Sequence, residues 1–366
     1  MGSEQPENTY FLATPTAVRW VGRGALFQLL VCTQMWLLSG PCFAQQTLDD
    51  MAERMLLFQR DNGGWPQPGG DAIDYTKELT QEAKNSLVQN KAKLDATIDD
   101  RATTREINYL VEAFRKTQNE MYLNASEKGI QYLLTAQHAN GGWSQFYPDS
   151  SGYRGHITYN DNAMINVMWV MKHTAEGTQG FGIIDKTLVP ASQQAVDRGV
   201  TCILNTQYML NGTRTGWGGQ HDRNTLLPTN ARKFELSSLS GAESVGILRF
   251  LMSIENPSPA VKESVRAGVS WLNSVRLAGI ATKIVSATEL PRGKDVVVVA
   301  DSNSTLWARF YELDTNRPFF CGRDGIKKYS LAEIDPERRT GYAWYGNWPA
   351  KLIDKEFPNW EKKWGN

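Results

Sequence analysis

Two short stretches of this chain bring oxygen-bearing side chains together at places where helices begin. Asp95-Ala-Thr-Ile-Asp99-Asp100-Arg101 precedes the helical run containing Ile107, and Thr158-Tyr-Asn160-Asp161-Asn162 precedes another that starts at Ala163. One Asp or Asn suffices to cap a helix N-terminus. Adjacent carboxylates at the same spot equally suit a hard cation that takes oxygen ligands. Asp99, Asp100, Asp161 and Asn162 are therefore candidate metal ligands, with capping as the competing role.

Arginine supplies the complementary chemistry. Arg232 follows Gly-Trp-Gly-Gly-Gln-His221-Asp222 and Pro228, within Ala-Arg-Lys-Phe-Glu235. Arg309 lies in Trp307-Ala-Arg-Phe-Tyr-Glu312, and Arg323 and Lys327 in Gly322-Arg-Asp-Gly-Ile-Lys. Beyond them runs Glu337-Arg-Arg-Thr-Gly-Tyr342-Ala-Trp344-Tyr. Guanidinium groups flanked by Gly, Pro and aromatics are held in fixed geometry, as bidentate carboxylate binding requires. Structural Arg–Asp pairing explains any one of them more readily than the whole set. Acidic oxygens together with rigid arginines suit a polyanion whose carboxylates are bridged by a divalent ion. Calcium fits better than zinc, because no His/Cys ligand set accompanies the acids.

Other chemistries are absent. There is no HExxH, CxxC, phosphate-binding Gly-rich loop or GxSxG elbow. The histidines are scattered, His221 being the better site candidate and His173 an ordinary helical residue. Lys+Arg and Asp+Glu balance at 39 each, so nothing global points to nucleic acid or a membrane surface, and a charged ligand must be recognised locally.

The elements that position these residues repeat. Met55–Trp65, Tyr132–Trp143 and Cys202–Gly219 each run from an apolar helical segment through a glutamine to a glycine-rich turn closing on tryptophan. Gln59 to Trp65 and Gln137 to Trp143 share a spacing of six. The copies start about 70 to 80 positions apart, enough for two helices and their connections. Between them, Ile107, Leu110, Val111 and Phe114 follow helical periodicity, as do the runs around Val167, Val245 and Val265. Asn-Gly-Gly in the first two turns supplies left-handed backbone for a helix end. Helical hairpins with one apolar face each must stack, and stacking in an arc gives a toroid. The expected fold is mainly α: a partial α/α toroid of stacked helical hairpins. A small β hairpin, Thr282–Ser286 with Asp295–Ala300 around a Pro291-Arg-Gly turn, and long C-terminal functional loops complete it.

The first residues read as a processing segment. Arg19 and Arg23 precede the apolar run Ala25–Leu38, followed by Ser-Gly-Pro and Cys42-Phe-Ala44. Cleavage near Ala44 is expected, giving a signal peptide over 1–44, a catalytic domain over 45–366 and a secreted or periplasmic product without a membrane span. Cys202 and Cys321 would remain, read as buried free thiols and not as a disulfide framework.

Taken in order, AQHANGGWSQFYPD, ITYNDNAM, QHD…ARKFELSSLSGAES, LWARFYELDTNRPFFCGRDGIKKY and ERRTGYAWYG resemble the family 10 polysaccharide lyases, pectate lyases with a partial α/α toroid. The likeness spans about Leu48 to the C-terminus. It implies a pectate lyase, a monomer acting on α-1,4-polygalacturonate by calcium-assisted β-elimination to give 4,5-unsaturated oligogalacturonates. By motif, Arg323 matches the family's proposed base and Lys327 is its fallback. Arg232 and Arg309 match substrate-carboxylate binders, and Asp99, Asp100 and Asp161, with Asn162 beside them, match the calcium region. An arginine base implies an alkaline optimum, since guanidinium ordinarily stays protonated. Three other readings remain: a toroid hydrolase with a carboxylate acid–base pair, a terpenoid cyclase, which shares Gln…Gly-Trp repeats, and a non-catalytic pectin-binding protein.

Overall fold

A computed structural model describes residues 48–290 and 292–365. The expected signal peptide lies outside the described residues. Among these, no helix is long and apolar enough to cross a membrane. The described residues form ten α-helices: α1 Asp50–Phe58, α2 Gln81–Gln89, α3 Thr104–Thr117, α4 Glu120–Ala136, α5 Ala163–Glu176, α6 Leu188–Thr206, α7 Glu243–Met252, α8 Pro259–Ser274, α9 Pro336–Gly341 and α10 Phe357–Trp364.

The hairpins α3–α4, α5–α6 and α7–α8 stack in sequence. One layer runs α1, α3, α5, α7 and the other α4, α6, α8. This is the two-layered arc of a partial α/α toroid, as the repeats predict. Its core lies between the layers, with Ile107, Leu133, Met164, Met168, Ile203 and Leu248 all buried.

The repeated glutamines and tryptophans explain the stacking. Gln59 Nε2 donates to Gly63 O in its own turn at 2.9 Å and to Ala125 O of α4 at 2.8 Å. Gln137 does the same with Gly141 O and Ala195 O, and the stretched third copy, Gln207, with Thr215 O and Ser264 O. Each amide thus satisfies carbonyls of two successive units that burial would otherwise leave unpaired. Trp65, Trp143 and Trp217 turn fully inward, and each indole N–H donates at 2.8 Å to the preceding helix, at Met55 O, Leu133 O and Ile203 O. Trp307 repeats this with Leu272 O at 2.7 Å, marking a fourth unit without the Gln-Gly-Gly signature.

In that fourth unit a β-hairpin replaces the tight turn. Leu277–Ser286 pairs antiparallel with Lys294–Ala308, with an irregularity between Ala278 and Ile280, and Tyr345–Gly346 adds a third short strand. Both long strands extend well past the expected ends, because Leu277 pairs with Leu306 at the base beside the core. The loops after the hairpin are less irregular than their composition suggests. Phe234, Phe310, Phe319, Phe320, Leu331, Ile334 and Trp344 form a second small apolar cluster. Cys202 and Cys321 are free and buried, as expected.

Candidate active site

The repeat register sets the site. After each tryptophan the chain leaves and returns, and a Ser or Thr comes back to bond the tryptophan's carbonyl. Thr97 N donates to Trp65 O, Thr158 N to Trp143 O and Ser240 N to Trp217 O, at 3.0, 3.0 and 2.7 Å. Three residues beyond each stands an acid: Asp100, Asp161 and Glu243. The openings of α3, α5 and α7 lie side by side in one layer, so Asp100 and Asp161 come together, with Glu243 joined to Asp161 through Arg309.

At the first two openings the backbone is left-handed. Asp100 has φ 42°, Asp161 φ 51° and Asn162 φ 61°. Asp is one of the few non-glycine types that visit this region. None of these side chains caps its helix. Instead Asp99, Asp100 and Asp161 offer ligand atoms within 4.8 Å of one another. Burial, then the neighbouring charge of Asp100, pushes the Asp99 carboxyl up to about 6. Three hard oxygen donors that repel one another fit a divalent cation such as calcium. Asn162 departs from expectation, for its Oδ1 packs against the backbone of Gly246 in α7 and its side chain is not part of the cleft wall.

The cluster opens into a cleft of about 720 Å³ walled by the three aspartates, Gln67, Gln145, Asn160, Gln220, Arg154, Arg232, Glu235, Arg309, Arg338 and Tyr342 among others. Arg309 Nη2 donates to Glu243 Oε1 at 2.6 Å and reaches Asp161 Oδ1 at 3.3 Å. Burial opposes its charge, but Glu243, Tyr342 and Asp161 together hold it above the ordinary guanidinium value. Arg232 gives Nε and Nη2 to Glu235, at 2.8 and 2.5 Å, which raises its proton affinity. Among the described residues its Nη1 has no hydrogen-bond partner, and about half of its side chain is exposed. Arg338 has no carboxylate hydrogen-bond partner. Burial lowers its affinity for its proton, with Arg323 and Arg232 adding repulsion, and its buried Nε lacks a partner among the described residues.

An aromatic platform sets these arginines. Arg232, Arg338 and Arg323 lie 4.9, 4.3 and 5.7 Å from the Phe234 ring centre, and Arg309 lies 4.6 Å from that of Tyr342.

Three further candidates stand off the cleft wall. Arg323, matched by motif to the base, is not among the cleft-lining residues. Its Nε and Nη2 donate to Glu337 at 2.9 and 3.1 Å, which raises its proton affinity, and its side chain is 61% exposed at the rim. Lys327 also stands off the cleft wall, 3.3 Å from Glu312 and above the Phe319 ring. His221 is structural. It is fully buried, accepts from Gly218 N at Nε2, faces Leu226 O through Nδ1, and is driven down to about 4 by burial.

Sequence reasoning missed Glu243, Glu235, Arg338 and Tyr342 as site residues. Glu243 had a readable signal, since it stands three residues after Ser240 as Asp161 does after Thr158. Arg338 had none that separates it from Arg339, which pairs with Asp295 at 2.5 Å.

Comparison with known proteins agrees with this geometry. The family model described as pectic acid lyase matches residues 59–353. Among solved structures, the family 10 polysaccharide lyase from Cellvibrio cellulosa superposes with a TM-score of 0.72 at 34% identity, covering 86% of this chain and 91% of that one. An aspartate-to-alanine mutant of a family 10 lyase from the same organism, in complex with trigalacturonic acid, gives 0.74 at 34% identity over 86% and 92%. No curated protein matches. With its repeats, its arc of hairpins and its cleft of aspartates and arginines, the chain belongs to the pectic acid lyase family.

Proposed function

We propose that this protein is an exported lyase that cleaves polygalacturonate by calcium-assisted β-elimination, leaving a 4,5-unsaturated sugar on one product. The observation that carries the reading is the cleft wall itself, where three clustered aspartates face Arg232, Arg309 and Arg338. That arrangement suits a sugar acid, whose carboxylate must be neutralised before the adjacent C5–H can ionise.

Asp99, Asp100 and Asp161 would hold the calcium ion, which when bound supplies positive charge beside the uronate carboxylate. Arg309 does not serve as the base, because its side chain is almost wholly buried between Glu243 and Asp161. Its role is a permanent positive charge aimed at the carboxylate, where charge develops as the proton leaves. Arg338, desolvated and without a counter-ion, adds a second donor that the substrate's oxygens would satisfy.

The proton acceptor proposed here is Arg232. Glu235 grips the Nε–Nη2 edge of its guanidinium, while the half-exposed side chain lines the cleft, so the group is both oriented and accessible. Nη1, once neutral, takes the C5 proton. The C–H electron pair becomes the C4–C5 double bond and O4 departs with the other half of the chain, gaining a proton from solvent. Arg323, at the rim beside Arg232, then serves a neighbouring carboxylate of the polymer.

Purified protein incubated with polygalacturonate should give rising ultraviolet absorbance from the unsaturated product, and chelator should abolish it. Reducing sugar released without that absorbance would indicate a hydrolase and overturn the reading.

A further inference from the structure

The turn that carries Asp99 and Asp100 into the cleft carries Arg101 the other way. Arg101 has φ 69°, is exposed, and borders a separate hollow of about 480 Å³ on the layer formed by α3 and α5. The walls are Thr104, Arg105, Asn108 and Tyr109 from α3, with Asn166, Trp169 and His173 from α5. Consecutive Cα atoms are about 3.8 Å apart, so the hollow begins one residue from the carboxylate cluster.

Its chemistry differs from that of a packing defect. Asn162, Asn166, Trp169 and His173 recur along one face of α5, a stripe of polar and amphipathic types within an otherwise apolar helix. Trp169 is only half-buried and rests edge-on against Phe250 at 5.2 Å, which fixes its ring. The repeat tryptophans, Trp65, Trp143, Trp217 and Trp307, all donate their indole N–H to backbone carbonyls. Trp169 makes no such bond among the described residues and borders the hollow, with the His173 ring tilted beside it at 5.7 Å. Arg101 likewise has no acidic partner among them. Arg105, the second cation, gives Nε and Nη2 to the buried Glu106 and lies over the Tyr75 ring. Among the hollow's walls no residue is acidic.

A fixed indole, an unpaired guanidinium and two carboxamides around a concavity match a ring with one apolar face, several hydroxyls and one carboxylate. We propose that this hollow is a second saccharide-binding site that holds acidic sugar units of the same polymer lying beyond those in the cleft. The inference rests on the acidic-polysaccharide reading above and extends it to long chains. Arg101 binds a carboxylate there and Trp169 covers a pyranose face, so the site adds affinity for polymer without touching the reacting atoms.

The test compares wild type with Arg101→Ala, Trp169→Ala and the conservative Trp169→Phe, on polygalacturonate and on trigalacturonate. Expected is a rise of about tenfold in KM for the polymer in Arg101→Ala and Trp169→Ala, a smaller rise in Trp169→Phe, and unchanged kcat and KM for the trimer. Circular dichroism confirms folding. Calorimetry with hexagalacturonate in chelator reads the hollow without turnover, so its result stands even if the chain proves not to be a lyase. Binding there should weaken about tenfold in both alanine variants. Equal polymer KM and equal hexamer affinity in all proteins would overturn the proposal, as would losses of equal size on trimer and polymer.

Discussion

Arg309 is held between two units of the arc: its Nη2 lies 2.6 Å from Glu243 at the opening of α7 and 3.3 Å from Asp161 before α5. Glu243 is 4% exposed and also accepts a short hydrogen bond from Ser240. Removing either member leaves a buried charge without its nearest partner, which typically costs about 3 kcal/mol. Glu243→Ala and Arg309→Ala should each lower unfolding free energy by that order. The double variant should cost much less than the sum, as read by denaturant titration of a double-mutant cycle. Additive losses would show that the two side chains stabilise the fold independently.

A cation bound at the aspartate cluster would stabilise the fold. Asp99 titrates near 6 in the folded chain, above its ordinary value of 3.8. Its contribution to stability is therefore fully present below about 3.8 and lost as pH rises through about 6. In chelator, wild type should lose stability relative to Asp99→Asn between those limits. Calcium should raise the melting temperature at pH 8 and have little effect at pH 4.5, where protons compete for the same oxygens. A calcium shift independent of pH would place the ion elsewhere.

Arg232 and Arg323 should separate kinetically. Arg232→Ala should lower kcat by roughly 10² to 10⁴, the usual range for a lost acid–base group, with little change in KM. Arg323→Ala should chiefly raise KM. If Arg323→Ala instead abolishes turnover at saturating substrate while Arg232→Ala retains it, the acceptor is Arg323.

Glu235 raises the proton affinity of Arg232, so the neutral form is scarce at neutral pH and grows with alkalinity. The rate should climb about tenfold per pH unit through the mildly alkaline range, without a plateau near pH 7. A maximum on the acid side would exclude an arginine acceptor.

The repeat turns should be intolerant where units touch. Gly141 has φ 89°, and a Cβ there would lie 2.1 Å from Arg198 O, a backbone atom that cannot swing aside. Gly141→Ala should destabilise by several kcal/mol through strain and overpacking together. Gly69, at φ 73° with nothing within 4 Å, should cost only about 1 kcal/mol on the same change. Thermal melts of the two variants test the difference.

The toroid was legible in the sequence because its determinants are local and repeated: Gln59 and Gln137 each close a turn on a tryptophan at the same spacing, and Gln207 does so in a stretched copy. Asp100 and Asp161 were legible because each stands just before a helical run, which opens at Thr104 and Ala163 respectively. The roles of the arginines were not. Arg323, Arg338 and Arg339 have similar neighbours in the chain, yet one pairs with Glu337 at the rim, one is desolvated in the cleft and one is bound to Asp295. What distinguishes them is which carboxylate the folded tail brings within hydrogen-bond reach, a long-range matter that no local pattern encodes. Spacing settled where the acids stand, and tertiary packing decided which guanidinium groups face them.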